Sequence, residues 1–465
     1  MFGLDLGLSL VLIVCLFAVC VFEFINGFHD TANAVATVIY TNSLKPSHAV
    51  VLSGLLNALG VFIGGTAVAV GIINMLPVET LVDQNIVHSL GMVFAILLTA
   101  IFWNFGTWFL AIPTSSSHTL IGSILGVGIA YSLIPGTGDA AVNWKKATDV
   151  GLSLLASPLF GFLFALGLMA LLAIVFARKQ QLFHTPRGDE PPPFPIRCIL
   201  ILTCGMVSFS HGSNDGQKGI GLMMLILIGI LPAKFAIDEH RSHLELQKDI
   251  AQLRASADSI SQIPPDENSD SSIMKLKKPL QRLEELAALD PSTEHDATRF
   301  ELRKNILLVR NAAKKIQFES PQGTSSEVQT LVRNAEGLSK YTDYAPYWVI
   351  VMIAVSLGLG TMIGWKRIVV TVGEKIGKTH LTYAQGASAE MVAASTIAVS
   401  TYLGLPVSTT HVLSSGIAGA MFASGGIANL EKSTITKILL AWFLTFPVCL
   451  TMSGTLFLLF RTITG

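Results

Sequence analysis

Apolar runs of bilayer length recur from one end of this chain to the other, and any fold must accommodate them first. About 20 apolar residues carry a helix across the hydrocarbon core. Runs of at least that length cover 8–40, 49–76, 89–133, 150–177, 198–232, 346–365, 382–424 and 438–460. With 51% hydrophobic and 13% charged residues, the chain reads as an all-α polytopic membrane protein. The formal net charge of zero gives a nucleic-acid partner no electrostatic support. Cys15, Cys20, Cys198, Cys204 and Cys449 lie in or at the ends of apolar runs and form no CxxC pair. They read as small buried hydrophobes. The first run begins near Leu8 with no basic residue ahead of it and continues to Asp30, unlike a signal peptide.

Two runs, 89–133 and 382–424, each break at a proline, Pro113 and Pro406, followed by hydroxyl residues. Each is expected to be a down-and-back, re-entrant-type pair of helices. Runs 8–40 and 198–232 are interrupted by Gly, Asn, Asp and His. They are expected to be broken signature helices, because irregular backbone at membrane depth is tolerated only against protein or a water-filled cavity. Residues 233–343 are different, being rich in Lys, Arg, Asp, Glu, Gln and Ser. Leu244, Leu246, Ile250 and Leu253, then Leu302, Ile306 and Leu308, have helical spacing, punctuated by Pro264-Pro265 and Asp290-Pro291. This segment is expected to be a helical insert outside the bilayer, serving as a solvated cap.

The chain repeats itself. Pro113-Thr-Ser-Ser-Ser-His118-Thr-Leu120 matches Pro406-Val-Ser-Thr-Thr-His411-Val-Leu413, and Gly27-Phe-His-Asp30-Thr-Ala-Asn33 weakly matches Gly212-Ser-Asn-Asp215-Gly-Gln-Lys218. Both halves run in the same order: signature helix, plain helix, hairpin pair, plain helix. If each hairpin enters and leaves on one side, each half crosses an odd number of times and the halves are inverted, a transporter design. The expected division is a first transmembrane repeat at 1–177, a cytoplasmic linker at 178–197 and the start of the second repeat at 198–232. The insert at 233–343 and the rest of the second repeat at 344–465 follow. With the N-terminus outside, short inner loops hold Lys45, Arg178, Lys179, Arg187, Arg197, Lys366, Arg367, Lys375, Lys378, Lys432 and Lys437. Outer segments hold only Lys145, Lys146 and Arg461, as the positive-inside rule requires. Both termini and the insert then fall outside, on the periplasmic side of an inner (plasma) membrane.

The hydroxyl clusters Ser115-Ser116-Ser117 and Ser408-Thr409-Thr410 follow the two prolines. Hydroxyls and free N–H groups at a helix start suit an oxyanion in a dry site. One such cluster could simply hydrogen-bond its own helix; two at identical spacing point to a site. Asp30 and Asp215 lie inside apolar runs, where a carboxylate costs several kcal/mol, about 2.5–3.5 on insertion scales. Two carboxylates would repel a bare oxyanion, so a cation or proton is expected with the anion. Lys218 breaks the repeat, since its counterpart is Asn33. An ammonium beside Asp215 could stand where a cation would otherwise bind. Four motif histidines, His29, His118, His211 and His411, could pass protons or pack helices. No Cys/His metal spacing, Walker loop or nucleophile elbow is present, and neither enzyme activity nor a cofactor is expected. Ser117-His118 offers an adjacent nucleophile and base, but neighbours at i and i+1 point apart on a helix.

At GFHDTAN, GSNDGQK, PTSSSH and PVSTTH the sequence resembles the inorganic phosphate transporter family, the Pit-type permeases, over nearly all the membrane portion. With the long insert, it is most similar to the bacterial low-affinity, proton-coupled branch. The resemblance implies a secondary transporter binding phosphate at Asp30, Asn33, Ser115, Ser116, Ser117, Asn214, Asp215, Ser408, Thr409 and Thr410. Asp30, Asp215, Lys218, His29 and His211 are the candidate coupling residues. It further implies protons as coupling ion, and a divalent metal ion carried with phosphate as a neutral complex. Sodium-driven members have Asn at the positions of Lys218 and His29, which implies an incomplete set of sodium sites here. A sodium-coupled phosphate symporter and a sulfate permease of the same fold stay open, as does assembly as a homodimer.

Overall fold

Backbone N–H and C=O groups find no partner in lipid, so long apolar runs satisfy them internally as helices. The computed structural model describes residues 3–76, 86–134, 142–186, 190–261, 267–289, 296–319 and 325–464. Among these the regular structure is helical, apart from one isolated bridge between Gly377 and Leu430. The chain divides into two compact units, Met1–Ile226 with Ala345–Gly465, and Leu227–Tyr344.

The first half of the larger unit comprises α1 (Leu6–Tyr40), α2 (Pro46–Ile63), α3 (Ala67–Ile73), α4 (Ile86–Phe109), α5 (Ser116–Ser132) and α6 (Trp144–Val175). Helix α7 (Phe194–Ile230) begins the second half. The smaller unit contributes α8 (His243–Ser261), α9 (Glu267–Ala287), α10 (Asp296–Glu319) and α11 (Ser326–Gly337). The larger unit resumes with α12 (Tyr347–Met362), α13 (Lys366–Glu374), α14 (Tyr383–Tyr402), α15 (Thr409–Gly425) and α16 (Lys432–Thr464). Among the described residues, seven helices are long and apolar enough to cross a membrane, in α1, α2, α4, α6, α7, α15 and α16.

The hairpin breaks lie where proline and hydroxyls put them. Residues 110–115 and 403–408 are non-helical, and each following helix is capped by a motif serine. Ser115 accepts from His118 N–H and Ser408 accepts from His411 N–H. Such a cap satisfies an N–H that the helix itself cannot.

The signature helices depart from expectation. Neither is broken: α1 runs for 35 residues and α7 for 37. Their glycines serve close approach instead. A Cβ at Gly27 would overlap the Leu357 carbonyl on α12, and one at Gly212 would overlap the Asn57 carbonyl on α2. The contacts are reciprocal, since a Cβ at Gly360 would strike the Phe24 carbonyl and one at Gly60 the Phe209 carbonyl. Each signature helix therefore packs backbone to backbone on a helix of the other half, as small residues allow in membranes. One break falls in a helix expected to be plain: run 49–76 is interrupted at Gly65 (φ 76°), a left-handed conformation that glycine adopts without Cβ strain. At the matching place in the second half, Gly364 (φ 75°) separates α12 from α13 at the end of run 346–365, whose single helix is as expected.

In the smaller unit, Leu246, Ile250 and Leu253 of α8 and Leu302, Ile306 and Val309 of α10 are buried in one core. Leu244 and Leu308 are exposed, lying one step off the buried stripe. The buried Arg303 donates to Ala236 O (3.0 Å) and Thr342 O (2.8 Å), tying the entry of this unit to its exit. Burial pushes its guanidinium down to about 10, opposed by the Asp343 carboxylate, so it stays charged at neutral pH. The Pro264-Pro265 and Asp290-Pro291 punctuation lies outside the described residues.

Replacing Gly212 by Val forces a side chain against backbone that cannot swing aside. Overpacking of this kind costs about 1–3 kcal/mol. Thermal unfolding of the purified protein in detergent is expected to move down clearly for Gly212→Val and little for Gly151→Val, since a Cβ at Gly151 meets nothing within 4 Å.

Candidate functional site

The two signature helices and the two capped hairpin helices bring their polar residues to one buried place. Asp30 of α1 is 3% exposed, and Asp215 and Lys218 of α7 are 0% exposed. Ser116, at the start of α5, donates to Asp30 Oδ2 (2.9 Å) and reaches Asp215 Oδ2 (3.3 Å). Thr410, at the start of α15, donates to Asp30 Oδ1 (2.5 Å). One hydroxyl from each hairpin thus faces the carboxylates.

Lys218 Nζ lies 2.6 Å from Asp215 Oδ2, one helical turn away. It also donates to Ser117 Oγ and to Val407 O (3.3 Å), while Ser117 donates to Val407 O (2.7 Å). The ammonium therefore joins the second signature helix to both hairpin breaks. Its stem is fully buried, so it does not snorkel to the surface.

The two signature histidines differ in what surrounds them. His29 Nδ1 meets Asp30 Oδ1 at 3.1 Å, and its Nε2 meets Thr107 and Thr114 hydroxyls at 3.4 and 3.3 Å. Thr107 donates to the Trp103 carbonyl, and Thr114 Oγ1 also lies 2.9 Å from Thr107 Oγ1, so the two hydroxyls and the His29 ring share one network. His211 is placed differently. Its Nδ1 lies 2.8 Å from Asn57 Oδ1, and Asn57 Nδ2 donates to Thr361 Oγ1, which itself donates to Leu357 O. That chain fixes the Asn57 amide, so His211 Nδ1 must carry the hydrogen. His211 Nε2 then faces Asp215 Oδ2 at 3.6 Å and Asp30 Oδ2 at 3.9 Å, with no hydrogen-bond partner among the described residues. A lone pair aimed at two carboxylate oxygens is repelled, whereas a proton on Nε2 or a cation among the three groups is attracted. Ligand atoms of Asp30, His211 and Asp215 all lie within 4.8 Å of one another, close enough to share an ion. Two carboxylates and an imidazole suit a divalent cation.

Other motif residues are placed around this centre. The Ser115 and Ser408 side chains are occupied as helix caps. Asn214 donates to Thr401 Oγ1 and Leu405 O and accepts from Val407 N–H, pinning the second hairpin break to α7. Thr409 Oγ1 is buried without a hydrogen-bond partner among the described residues. The side chain of Asn33 lies outside the described residues. His118 and His411 pack ring to ring at 4.6 Å, and His411 stacks on Trp442 at 3.8 Å. Sequence reasoning missed Asn57, Thr361, Thr107 and Thr114. Asn57 carried a signal, as the one amide in α2; the threonines resemble any helix-bonding hydroxyl.

The sequence matches the phosphate transporter family over residues 26–453. It is 41% identical to the low-affinity inorganic phosphate transporter PitA of Escherichia coli, over 98% of this chain and 97% of that one. Identity to the PitB protein of the same organism is also 41%, with the same coverage. A probable low-affinity inorganic phosphate transporter of Bacillus subtilis is 27% identical over 98% of each chain. Among solved structures, the sodium-dependent phosphate transporter shares the fold with a TM-score of 0.56 and 20% identity, covering 97% of this chain and 99% of that one. On the family match and on relatives alike from end to end, this chain is a member of the phosphate transporter family.

Proposed function

We propose that this chain imports inorganic phosphate together with protons, as a secondary transporter of the inner membrane, at the buried site between Asp30 and Asp215. The observation that carries the coupling is His211 Nε2. Its ring is held by Asn57 with Nδ1 protonated, and Nε2 is aimed at two carboxylates that only a proton or cation can reconcile with it. Ser116 and Thr410 are the hydroxyls an incoming phosphate would use, and here they serve the carboxylates. Anion and carboxylates thus compete for the same donors. Protonating the site, or bringing phosphate as a neutral complex with a divalent metal, removes the conflict. The metal is then cargo, with Asp30, His211 and Asp215 as its temporary ligands.

The exchanged packing of α1 on α12 and of α7 on α2, with matching breaks at Gly65 and Gly364, supports two repeats related by inversion. The charge bias of the loops supports both termini and the Leu227–Tyr344 unit lying outside. Fold likeness to a sodium-dependent transporter keeps sodium as a second reading. Against it stands Lys218, whose ammonium already neutralises Asp215 at 2.6 Å.

Uptake into proteoliposomes, with proton, sodium and metal gradients imposed singly, tests the coupling. Wild-type uptake is expected to ignore sodium and to collapse with an uncoupler; strong sodium stimulation with no uncoupler effect would sink the proposal. In the same assay Lys218→Asn is expected to weaken proton-driven uptake and to expose some sodium dependence.

Asp30→Asn and Asp215→Asn are each expected to abolish uptake while leaving the amount of membrane-inserted protein near normal. Near-normal uptake by either variant would remove that aspartate from the mechanism.

A further inference from the structure

Two more carboxylates are buried in the larger unit, and nothing above uses them. Glu23 of α1 and Glu390 of α14 are both 0% exposed. Among the described residues, neither is within ion-pair distance of a lysine or arginine, and each has one oxygen, Oε1, without a hydrogen-bond partner. Burying a carboxylate in this way is not accidental in a membrane span.

The immediate surroundings of each can serve a protonated carboxyl as well as a carboxylate. Asn26 Nδ2 lies 3.3 Å from Glu23 Oε2, while Asn26 Oδ1 has no partner. Turning the Asn26 amide over would let a Glu23 O–H donate to Oδ1, leaving the acid and amide mutually bonded; amide orientation is set by such a network. Thr203 Oγ1 lies 2.5 Å from Glu390 Oε2 and also 3.1 Å from Leu200 O. Its single hydrogen serves only one of them. If it goes to Leu200 O, Glu390 must supply the hydrogen of the shorter contact. Facing Glu23 are Asp30 and Cys20 from its own helix, and Asp215 and Lys218 from α7. Facing Glu390 is Cys204 from α7.

Their placement relative to Asp30 is the telling feature. Positions 23, 30 and 37 of α1 are seven residues apart, nearly two turns, so they share a stripe with steps of about 10 Å. Gly219 of α7 packs on the Glu23 side chain. At the other end Thr37 lies against Gly386 of α14 and beside Glu390, one turn further along that helix. Three buried carboxylates therefore follow α1, with Glu23 towards its N-terminus, Asp30 in the middle and Glu390 towards its C-terminus.

We propose that Glu23 and Glu390 are proton-carrying stations on either side of the phosphate site, loading and releasing the proton that travels with phosphate. The proposal rests on the proton-coupled reading above. A proton loads on Glu23 from the N-terminal side of α1, crosses with phosphate, and is released through Glu390. At each transfer an O–H or N–H bond breaks as the next acceptor gains the hydrogen, so charge and atoms balance. The steps exceed one hydrogen bond, so hydration on the open side must bridge them in turn.

Glutamine keeps the shape and hydrogen bonding of a protonated glutamate but cannot release its proton. Full-length Glu23→Gln and Glu390→Gln in proteoliposomes are compared with wild type in two assays. One is net phosphate uptake driven by an imposed proton gradient; the other is exchange of labelled for unlabelled phosphate, which needs no deprotonation. The expected result is loss of net uptake with exchange retained. Net uptake equal to wild type in both variants would overturn the proposal. So would equal loss of both activities in protein with a wild-type elution profile, because that marks a packing role. Glu23→Asp and Glu390→Asp guard against misfolding: each is expected to retain net uptake with a displaced pH profile, and an unchanged profile would count against a proton station. Wild-type uptake that ignores the proton gradient would instead refute the coupling itself, a separate result from either variant outcome.

Discussion

Ser116 bridging Asp30 and Asp215 is the contact on which the rest of the membrane unit depends. Bringing two carboxylates together away from water is unfavourable unless donors and positive charge surround them. The fold supplies Ser116 and Thr410 hydroxyls, the Lys218 ammonium and the His211 ring at this one place. Ser116 comes from the start of α5, Thr410 from the start of α15, Lys218 and His211 from α7, and Asp30 itself from α1, so the four elements must meet at one level. The caps at Ser115 and Ser408 are part of that requirement, because they set where α5 and α15 begin and hence where the next hydroxyls point.

Close backbone contact makes this meeting possible. Helix association in lipid draws on packing rather than on hydrophobic exclusion, so small residues decide how near two backbones come. Gly27 against α12 and Gly212 against α2 let the signature helices stay continuous and still approach the other half. Continuity has a functional side. An unbroken α1 offers a rigid stripe along which Glu23, Asp30 and Thr37 keep fixed spacing, which a break near Gly27 would destroy.

The two histidines of the signature segments show how neighbours divide roles between identical side chains. His29 meets Asp30 on one side and the Thr107 and Thr114 hydroxyls on the other. His211 is tied through Asn57 and Thr361, and its free nitrogen is turned on the carboxylates. Both rings belong to signature segments, yet His211 alone of the two turns a nitrogen without a hydrogen-bond partner among the described residues on the two carboxylates.

Much of this was legible in the chain itself. Bilayer-length apolar runs dictated helices, because lipid offers the backbone no partner. Pro113 and Pro406 with their following hydroxyls marked where helices stop and restart, since proline cannot continue a helix and serine caps the next. The duplicated motif announced two related halves, and Asp30 and Asp215 announced a site because carboxylates do not enter lipid without cause. The tertiary structure alone decided the pairings. Thr410 bonds Asp30 across 380 residues and Ser116 reaches Asp215 across 99, and no local periodicity encodes such partners. It also reversed the reading of the glycines: Gly27 and Gly212 looked like helix breakers and are contact surfaces, whereas Gly65 and Gly364 make the breaks. A glycine lowers the cost of both outcomes equally, and what lies against it determines which one is realised.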